Sequence, residues 1–80
     1  MLRKLIDVVV QVYLSEDKGH SYDFYGIIRK VEGPLIYLST VKTYHGGWGS
    51  HGDMIINTNA ANFTYLNIVS NPEIIERVRE

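Results

Sequence analysis

The feature that most constrains this chain is the stretch of residues 54–72, which contains no charged side chain. The stretch predicts two short strands, at 54–58 and 62–69, joined by a tight connection at 59–61. Soluble proteins usually place Lys, Glu or Pro within an exposed edge strand, because unpaired backbone N–H and C=O groups recruit other chains. Both predicted strands lack such a residue, so their edges need another form of cover.

We expect that cover to come from other copies of the same chain. Side chains on both faces of the predicted strand pair are largely apolar, which agrees with burial in an oligomer. A transmembrane span is the poorer alternative, because asparagines recur through the stretch and interrupt the apolar run. The predicted subunit interface comprises Met54, Ile55, Ile56, Phe63, Tyr65, Leu66 and Ile68.

The length of 80 residues predicts one small domain over 1–80. A chain this short buries only about 60% of its unfolded surface. With no cysteine, it can form neither a disulfide nor a thiolate metal site, so oligomerisation is the natural way to stabilise it. No signal or transit peptide is apparent, and we expect a cytoplasmic protein without a membrane partner.

Alternating apolar residues predict a first strand at 5–14, followed by a polar turn at 15–20. A second strand is expected at 21–31. Gly26 in its middle is typical of a sharp bend, a bulge or a close backbone approach. A third strand at 35–43 follows after a very short turn, so the second and third strands should form an antiparallel hairpin.

The remaining segments predict a loop and a helix. Residues 44–53 are rich in glycine and contain the only tryptophan, which favours a loop. Asn71 is a suitable cap, and Pro72 a suitable first residue, for a helix at about 72–79. We therefore predict an all-β fold: a small, strongly bent, five-stranded antiparallel barrel of the SH3-like or Sm-like type over about 5–69, with a short C-terminal helix.

Aromatic residues of the predicted loop are candidates for nucleic-acid binding. Tyr44, His45 and Trp48 can stack on unpaired bases. The chain has no Lys or Arg between Lys42 and Arg77, so a track for phosphates is missing nearby. Packing of Trp48 on a neighbouring subunit is the alternative interpretation. The formal net charge of −1 also argues against strong nonspecific nucleic-acid binding.

Metal binding and catalysis find little support in the sequence. His45, His51 and Asp53 are three loosely spaced ligands, whereas a structural zinc site uses four. The sequence contains no recognisable Ser-His-Asp context and no phosphate-cradling motif. We therefore expect no metal, no cofactor and no catalytic residue, and we expect that the protein is not an enzyme.

Three segments within roughly residues 5–69 resemble the Sm-like family, which includes the Sm and LSm proteins and the bacterial RNA chaperone of that type. Residues 24–28 (Phe-Tyr-Gly-Ile-Ile) look like the family's second strand, with its glycine at the bend. Residues 31–38 occupy the place of the motif aromatic-Asp-x-x-Met-Asn-apolar-apolar. Residues 62–66 (Asn-Phe-Thr-Tyr-Leu) are similar to the Asn-Val-Val-Tyr-Ile that closes the second Sm motif.

The resemblance implies a homo-oligomeric ring, in which the fourth strand of one subunit pairs with the fifth of the next, and binding of single-stranded RNA. Ile36 stands where the family's pocket has Asn, Asn59 and Ala60 replace its Arg-Gly or Lys-Gly, and Pro34 occupies the base-stacking position. The helix comes last in this chain, whereas the family usually carries it first. With the loop aromatics, the predicted RNA-binding residues are Pro34, Ile36, Asn59, Ala60, Tyr44, His45 and Trp48.

A ring that serves as a structural or protein-interaction platform, without binding RNA, is the alternative function. Charge distribution separates the two hypotheses. An RNA-binding ring should gather Lys and Arg on one face, whereas a platform should show a neutral pore and an apolar or aromatic patch.

Overall fold

One five-stranded antiparallel sheet and a C-terminal helix form the structure, a computed structural model that describes residues 5–15 and 21–80. The strand order is β4-β3-β2-β1-β5. The sheet is not closed, so the five-stranded antiparallel fold is confirmed and the predicted barrel is not. The elements are β1 (Val9–Ser15), β2 (Ser21–Glu32), β3 (Leu35–Tyr44), β4 (Trp48–Asn57), β5 (Phe63–Ile68) and α1 (Pro72–Arg79).

Two strand boundaries differ by more than one residue from the sequence-based prediction. The first strand starts at Val9 rather than at residue 5, because Asp7 has a φ of 68°, which breaks the extended backbone. The predicted loop at 44–53 is wrong, since β4 already begins at Trp48 and only residues 45–47 form the turn. The predicted turn at 15–20 falls mainly on residues 16–20, which lie outside the described residues.

Glycines allow the early part of β4 to pair with β3 despite its loop-like composition. The register shifts between Leu38 and Val41 and again before Lys42. Gly52 pairs with Val41 at this irregularity and has a φ of 76°, a conformation that favours glycine. Glycine-rich composition here marks a bulge inside a strand and not the absence of a strand.

Gly26 bends β2, as its position within the strand predicts. The pairing of β2 with β3 shifts between Tyr25 and Ile27. A Cβ atom at Gly26 would lie 3.2 Å from both Cβ and Cδ1 of Leu38, a tight contact that the neighbouring strand could accept only by shifting. The bend and close approach help one sheet to curl around its own core.

The main core lies on the inner face of the curved sheet. Four strands contribute its buried side chains, and β5 adds Phe63 and Leu66, which are partly buried against them. The sheet therefore encloses a continuous apolar interior although its two outer strands do not pair. The buried members are Val10, Val12, Leu14, Phe24, Ile28, Ile36, Leu38, Val41 and Ile56.

Helix α1 covers part of the outer face and is confirmed as predicted. The Asn71 side chain accepts a hydrogen bond of 2.9 Å from the backbone N–H of Glu73, and Pro72 opens the helix. Val78 is fully buried against Val9 and Ile27 of the sheet. Among the described residues, no helix has both the length and the apolar character needed to cross a membrane.

Replacing Gly26 by Val should destabilise the fold by about 1–3 kcal/mol, because the added carbons would overlap Leu38 in a packed interior. Urea unfolding at fixed protein concentration measures the change. Gly47→Ala is the control, since a Cβ atom at Gly47 meets nothing within 4 Å, and its effect should stay within about 0.5 kcal/mol. Equal stability of Gly26→Val and the unmodified protein would contradict the close approach of the two strands.

Candidate functional site

The outer edges of β4 and β5 are the first candidate site. These strands stand at the two ends of the strand order, so each has one backbone edge that no described strand covers. Ile55 on β4 is 58% exposed, and Ile68 on β5 is 57% exposed. Neither edge strand carries Lys or Pro, although β4 carries Asp53. Exposed apolar edges of this kind are templates for pairing with another chain.

An apolar groove lies along β5. It has a volume of about 490 Å³, and its surface is mostly apolar. On the other edge, a groove of similar volume follows β4 beside Ile55 and Met54. Each edge therefore offers both unpaired backbone and an apolar surface. The residues along the β5 groove are Leu5, Ile36, Thr58, Phe63, Thr64, Tyr65, Leu66 and Ile68.

The residues predicted for the subunit interface divide into two groups. Ile55, Tyr65 and Ile68 are exposed and available to another chain. Met54, Phe63 and Leu66 are partly buried against the main core. Ile56 is only 5% exposed, because β4 turns its side chain inward to the core, so in this structure the side chain is not available to another chain.

The turn between β2 and β3 meets the connection between β4 and β5. The carbonyl oxygen of Pro34 accepts hydrogen bonds of 2.9 Å from both the backbone N–H and the hydroxyl of Thr58. The Asn57 side chain accepts a bond of 2.9 Å from the backbone N–H of Asn59. These bonds bring the segments that carry Pro34, Asn59 and Ala60 together. The resemblance to the Sm-like family places an RNA pocket at these segments.

Ile36 cannot belong to a base-binding surface in this structure. Its side chain is 1% exposed and packs in the main core, since the register of β3 directs it inward. In this structure its side chain is therefore not available to contact a base, although Ile36 was predicted as an RNA-binding residue. At most, Ile36 forms part of the floor of the β5 groove.

The predicted aromatic residues lie at the other end of β3 from Pro34. Tyr44 and Trp48 are cross-strand partners next to the turn at 45–47, and His45 lies exposed in that turn. The ring centroids of Tyr44 and Trp48 are 5.3 Å apart. The seven residues predicted to bind RNA therefore do not form one site, because a ten-residue strand separates the two groups.

A third aromatic ring and helix α1 complete a groove beside Trp48. The Tyr25 and Trp48 ring centroids lie 5.6 Å apart, so Trp48 packs within its own chain. The groove has a volume of about 330 Å³. Sequence reasoning missed Tyr25, although alternation along β2 places it on the same face as Asp23 and Ile27. We call this site the aromatic groove; its residues are Tyr25, Tyr44, Trp48, Glu73, Ile74 and Arg77.

Polar contacts connect Tyr25 with the rest of the outer face. The side-chain amide of Gln11 donates a hydrogen bond of 2.6 Å to the Asp23 carboxylate and a longer one of 3.4 Å to the Tyr25 hydroxyl. Beyond them, Tyr13 stacks on Tyr65 with ring centroids 4.4 Å apart. An aromatic and polar surface therefore extends across the part of the sheet that α1 leaves uncovered.

Two tyrosines on this surface hold their protons more tightly than usual. Burial raises the pKa of Tyr25, and the negative charge of Asp23 raises it further. Burial also raises the pKa of Tyr13, with smaller contributions from Tyr65 and Asp23. Both phenols are therefore neutral hydrogen-bond donors throughout the physiological pH range.

Most Lys and Arg side chains among the described residues contact an acid or a carbonyl oxygen of the same chain. Arg29 contacts the Asp7 carboxylate at 2.5 Å, and Lys30 contacts Glu32 at 2.9 Å. Lys42 donates a hydrogen bond of 2.7 Å to the carbonyl oxygen of Arg77 at the end of α1. Exposed ion pairs such as the first two contribute little to the free energy of unfolding. All three contacts nevertheless place an acid or a carbonyl oxygen beside a cation. Arg79 donates a hydrogen bond of 2.5 Å to the backbone carbonyl oxygen of Asp7, so Arg29 and Arg79 meet at the same residue.

No group of three or more metal-binding side chains comes together among residues 5–15 and 21–80. The ring nitrogen Nε2 of His51 lies 2.8 Å from the hydroxyl oxygen of Thr43 on the adjacent strand. This contact gives His51 a partner within the β3–β4 hairpin. His45 lies in the turn of the same hairpin.

A scan against protein-family models, a search of curated proteins and a search of solved structures each find no match to this chain. The fold and the contacts described above therefore carry the functional argument.

Replacing Asp23 by Asn should lower the pKa of Tyr25 towards its ordinary value of 10.0, because the substitution removes a neighbouring negative charge. Absorbance of the tyrosinate band during a pH titration measures this shift, and Asp53→Asn, an exposed acid on β4, is the control. Because the pKa of Tyr25 is higher in the folded state than its ordinary value of 10.0, protonated Tyr25 adds to the free energy of unfolding at pH values below 10.0. That contribution is lost as the pH rises through the pKa of the folded state. Identical titration curves for the two variants would exclude Asp23 as a cause.

Proposed function

We propose that this chain is a self-assembling module whose copies pair edge to edge, β4 of one copy against β5 of the next. The observation that carries the proposal is the pair of uncovered edges at the two ends of one sheet, both bearing exposed apolar side chains. Antiparallel pairing at this junction would continue the sheet from one subunit into the next. Such pairing would bury Ile55 against the groove beside Ile68.

The two edges differ, so the contact is head-to-tail. Repeated head-to-tail contacts form a ring when the rotation between neighbours closes, and an open fibre when it does not. Because every contact in such an assembly is the same, the rotation between neighbouring copies is constant. A closed homo-oligomeric ring of strongly bent, barrel-like subunits is accordingly the assembly that we propose, and it agrees with the resemblance to the Sm-like family.

The function that we assign to this ring is a platform for protein interactions. One support is that four described cations already contact acids or carbonyl oxygens of their own chain; they are Arg29, Lys30, Lys42 and Arg79. The aromatic surface formed by the exposed Tyr44 and the partly buried Tyr25 and Trp48 is the second support. Tyr and Trp are over-represented among residues that dominate protein–protein binding energies.

Binding of single-stranded RNA is the second candidate function. One contact favours it: Pro34 and Thr58 join the two segments that the resemblance assigns to an RNA pocket. Asn59 contributes an amide that can hydrogen-bond to a base edge. The segments contain no Lys or Arg, however, and phosphate contacts usually supply much of the affinity of such complexes. The platform is therefore the better supported function.

Replacing Ile55 by Lys should convert the assembly into monomers, because a lysine on an edge strand opposes pairing with another strand. Size-exclusion chromatography with light scattering measures the mass, and far-UV circular dichroism checks that the variant is folded. Ile68→Lys tests the opposite edge by the same readout. Tyr44→Lys is the matched control, since Tyr44 is 57% exposed but lies on β3, an internal strand.

Two outcomes would reject the assembly. A monomeric unmodified protein would remove the need for edge pairing altogether. A multimer whose mass survives both Ile55→Lys and Ile68→Lys would place the interface on another surface.

Native mass spectrometry with a short oligouridine separates the two functions. For a platform we expect a multimer that gains no oligonucleotide mass. For an RNA-binding ring, the multimer should gain that mass and lose it in Asn59→Ala, because the amide beside Pro34 would be removed. Asn67→Ala is the control, since it deletes an exposed amide near the far end of β5. Specific loss in Asn59→Ala would overturn our preference for the platform.

A further inference from the structure

Residues 5–8 leave the extended path that β1 follows. A hydrogen bond of 3.0 Å from the backbone N–H of Val8 to the carbonyl oxygen of Leu5 closes a turn. Asp7 is the third residue of this turn and has a φ of 68°. Residues other than glycine rarely occupy this region, although Asn and Asp do so more often than most. Such a backbone persists only where the surrounding structure holds it.

Three contacts hold Asp7 in this conformation. Its N–H donates a hydrogen bond of 2.6 Å to the carbonyl oxygen of Ile28 on β2. Its carboxylate accepts a bond from Arg29, and its own carbonyl oxygen accepts one from Arg79, each at 2.5 Å. Arg79 follows Val78, which is fully buried against the sheet. Docking of α1 on the sheet therefore brings the Arg79 guanidinium to Asp7.

The turn replaces one hydrogen bond of the ladder between β1 and β2. Val9 lies opposite Ile27 in this antiparallel pair, so a continued ladder would pair Val8 with Ile28. The Ile28 N–H does donate to the carbonyl oxygen of Val8 at 3.1 Å, but the return bond comes from Asp7. In an extended strand the Val8 N–H would make that bond. The bent and the extended conformations therefore satisfy the same backbone groups of Ile28.

The two conformations place different side chains on the inner face of the sheet. In the structure Leu5 is partly buried against the main core and lines the β5 groove, whereas Ile6 is 37% exposed. Alternation along an extended strand would instead put Ile6 on the inner face with Val10, and Leu5 on the outer face with Val9. Because Leu and Ile are isomers, the exchange changes the buried apolar area little.

We propose that Asp7 is a latch through which docked α1 holds residues 5–8 in the bent conformation and keeps Leu5 in the β5 groove. The positive φ of Asp7 opposes this conformation, and the contacts with Arg29 and Arg79 favour it. The Arg29–Asp7 pair is weak, since its side chains are 48% and 65% exposed. Small opposing contributions of this kind leave two conformations close in free energy. Loss of the Arg79 contact should therefore release Leu5 from the groove.

This inference rests on the proposed assembly only for its consequence, because the β5 groove is the surface that would receive a neighbouring copy. Leu5 forms part of that groove, so the bent conformation is the one that is competent to assemble. The contacts of Asp7 lie within one chain, however. The exchange of positions 5 and 6 is consequently measurable without a neighbour.

The chain has no cysteine, so one introduced thiol reports on one position. Leu5→Cys and Ile6→Cys are each made in the Ile55→Lys background, because a lysine on β4 opposes edge pairing that would cover the groove. The rate of reaction with dithionitrobenzoate measures the exposure of each thiol, and far-UV circular dichroism checks folding. With Asp7 unchanged, we expect the thiol at position 6 to react faster than the thiol at position 5.

Asp7→Val should reverse that order, because a β-branched residue disfavours a positive φ and cannot pair with Arg29. The thiol at position 5 should react about threefold faster or more, the change expected from losing one modest contact. The thiol at position 6 should react more slowly. Asp7→Gly is the matched control, since glycine retains the positive φ without a carboxylate, and the original order should remain.

Arg79→Ala should change both rates in the same directions as Asp7→Val, because it removes the hydrogen bond to the Asp7 carbonyl oxygen. Arg77→Ala is the control from the same helix, since Arg77 lines the aromatic groove, and both rates should stay unchanged. With Ile55 and the native residues at positions 5 and 6 restored, Arg79→Ala should also lower the assembled fraction at a fixed protein concentration. Light scattering measures that fraction, which Arg77→Ala should leave unchanged.

Three results would overturn the proposal. Faster reaction at both positions in Asp7→Val would indicate general loosening instead of an exchange. Equal thiol rates in Arg79→Ala and Arg77→Ala would remove the helix from the latch. Reciprocal thiol rates with an unchanged assembled fraction in Arg79→Ala would exclude control of assembly. A monomeric unmodified protein rejects edge pairing, but the reciprocal change in thiol rates is still expected, so the failures of the two proposals are distinguishable.

Discussion

The close approach of β2 and β3 at Gly26 is the contact on which the remaining architecture depends. Because a side chain at this position would crowd Leu38, glycine is the residue that best allows the bend and the local register shift together. The bent sheet can then enclose its own core on one face. A flat sheet of the same five strands would leave that face open to water, and one short helix could not cover it. The fold of this small chain is thus a consequence of curvature.

Curvature also determines which surfaces remain for function. The inner face is occupied by the core, and α1 covers the part of the outer face around Val9 and Ile27. What remains are the two strand edges and the aromatic part of the outer face. These surfaces differ chemically, since the edges offer unpaired backbone and aliphatic side chains, whereas the outer face offers rings with polar tips. The edges suit self-assembly, and the outer face suits a different partner.

The contacts of the charged side chains agree with this division between the strand edges and the outer face. Arg29 and Lys30 point to opposite faces of β2, and each has an acidic neighbour. Lys42 instead contacts the last turn of α1, where a cation complements the negative end of the helix dipole. The described cations therefore serve local contacts within the fold.

Local sequence signals determined the helix, the bend at Gly26 and most strand positions, because capping residues, glycine and alternation act over a few neighbours. Asn71 and Pro72 specify the start of α1 in this way. The same signals misassigned residues 44–53, since glycine-rich composition does not reveal that β3 provides hydrogen-bonding partners for them. Tertiary structure alone decided that Ile36 and Ile56 face the core, that Pro34 and Trp48 lie apart, and that Tyr25 joins Trp48 in one groove. Such placements depend on strand register and sheet curvature, which arise from contacts between residues far apart in the chain.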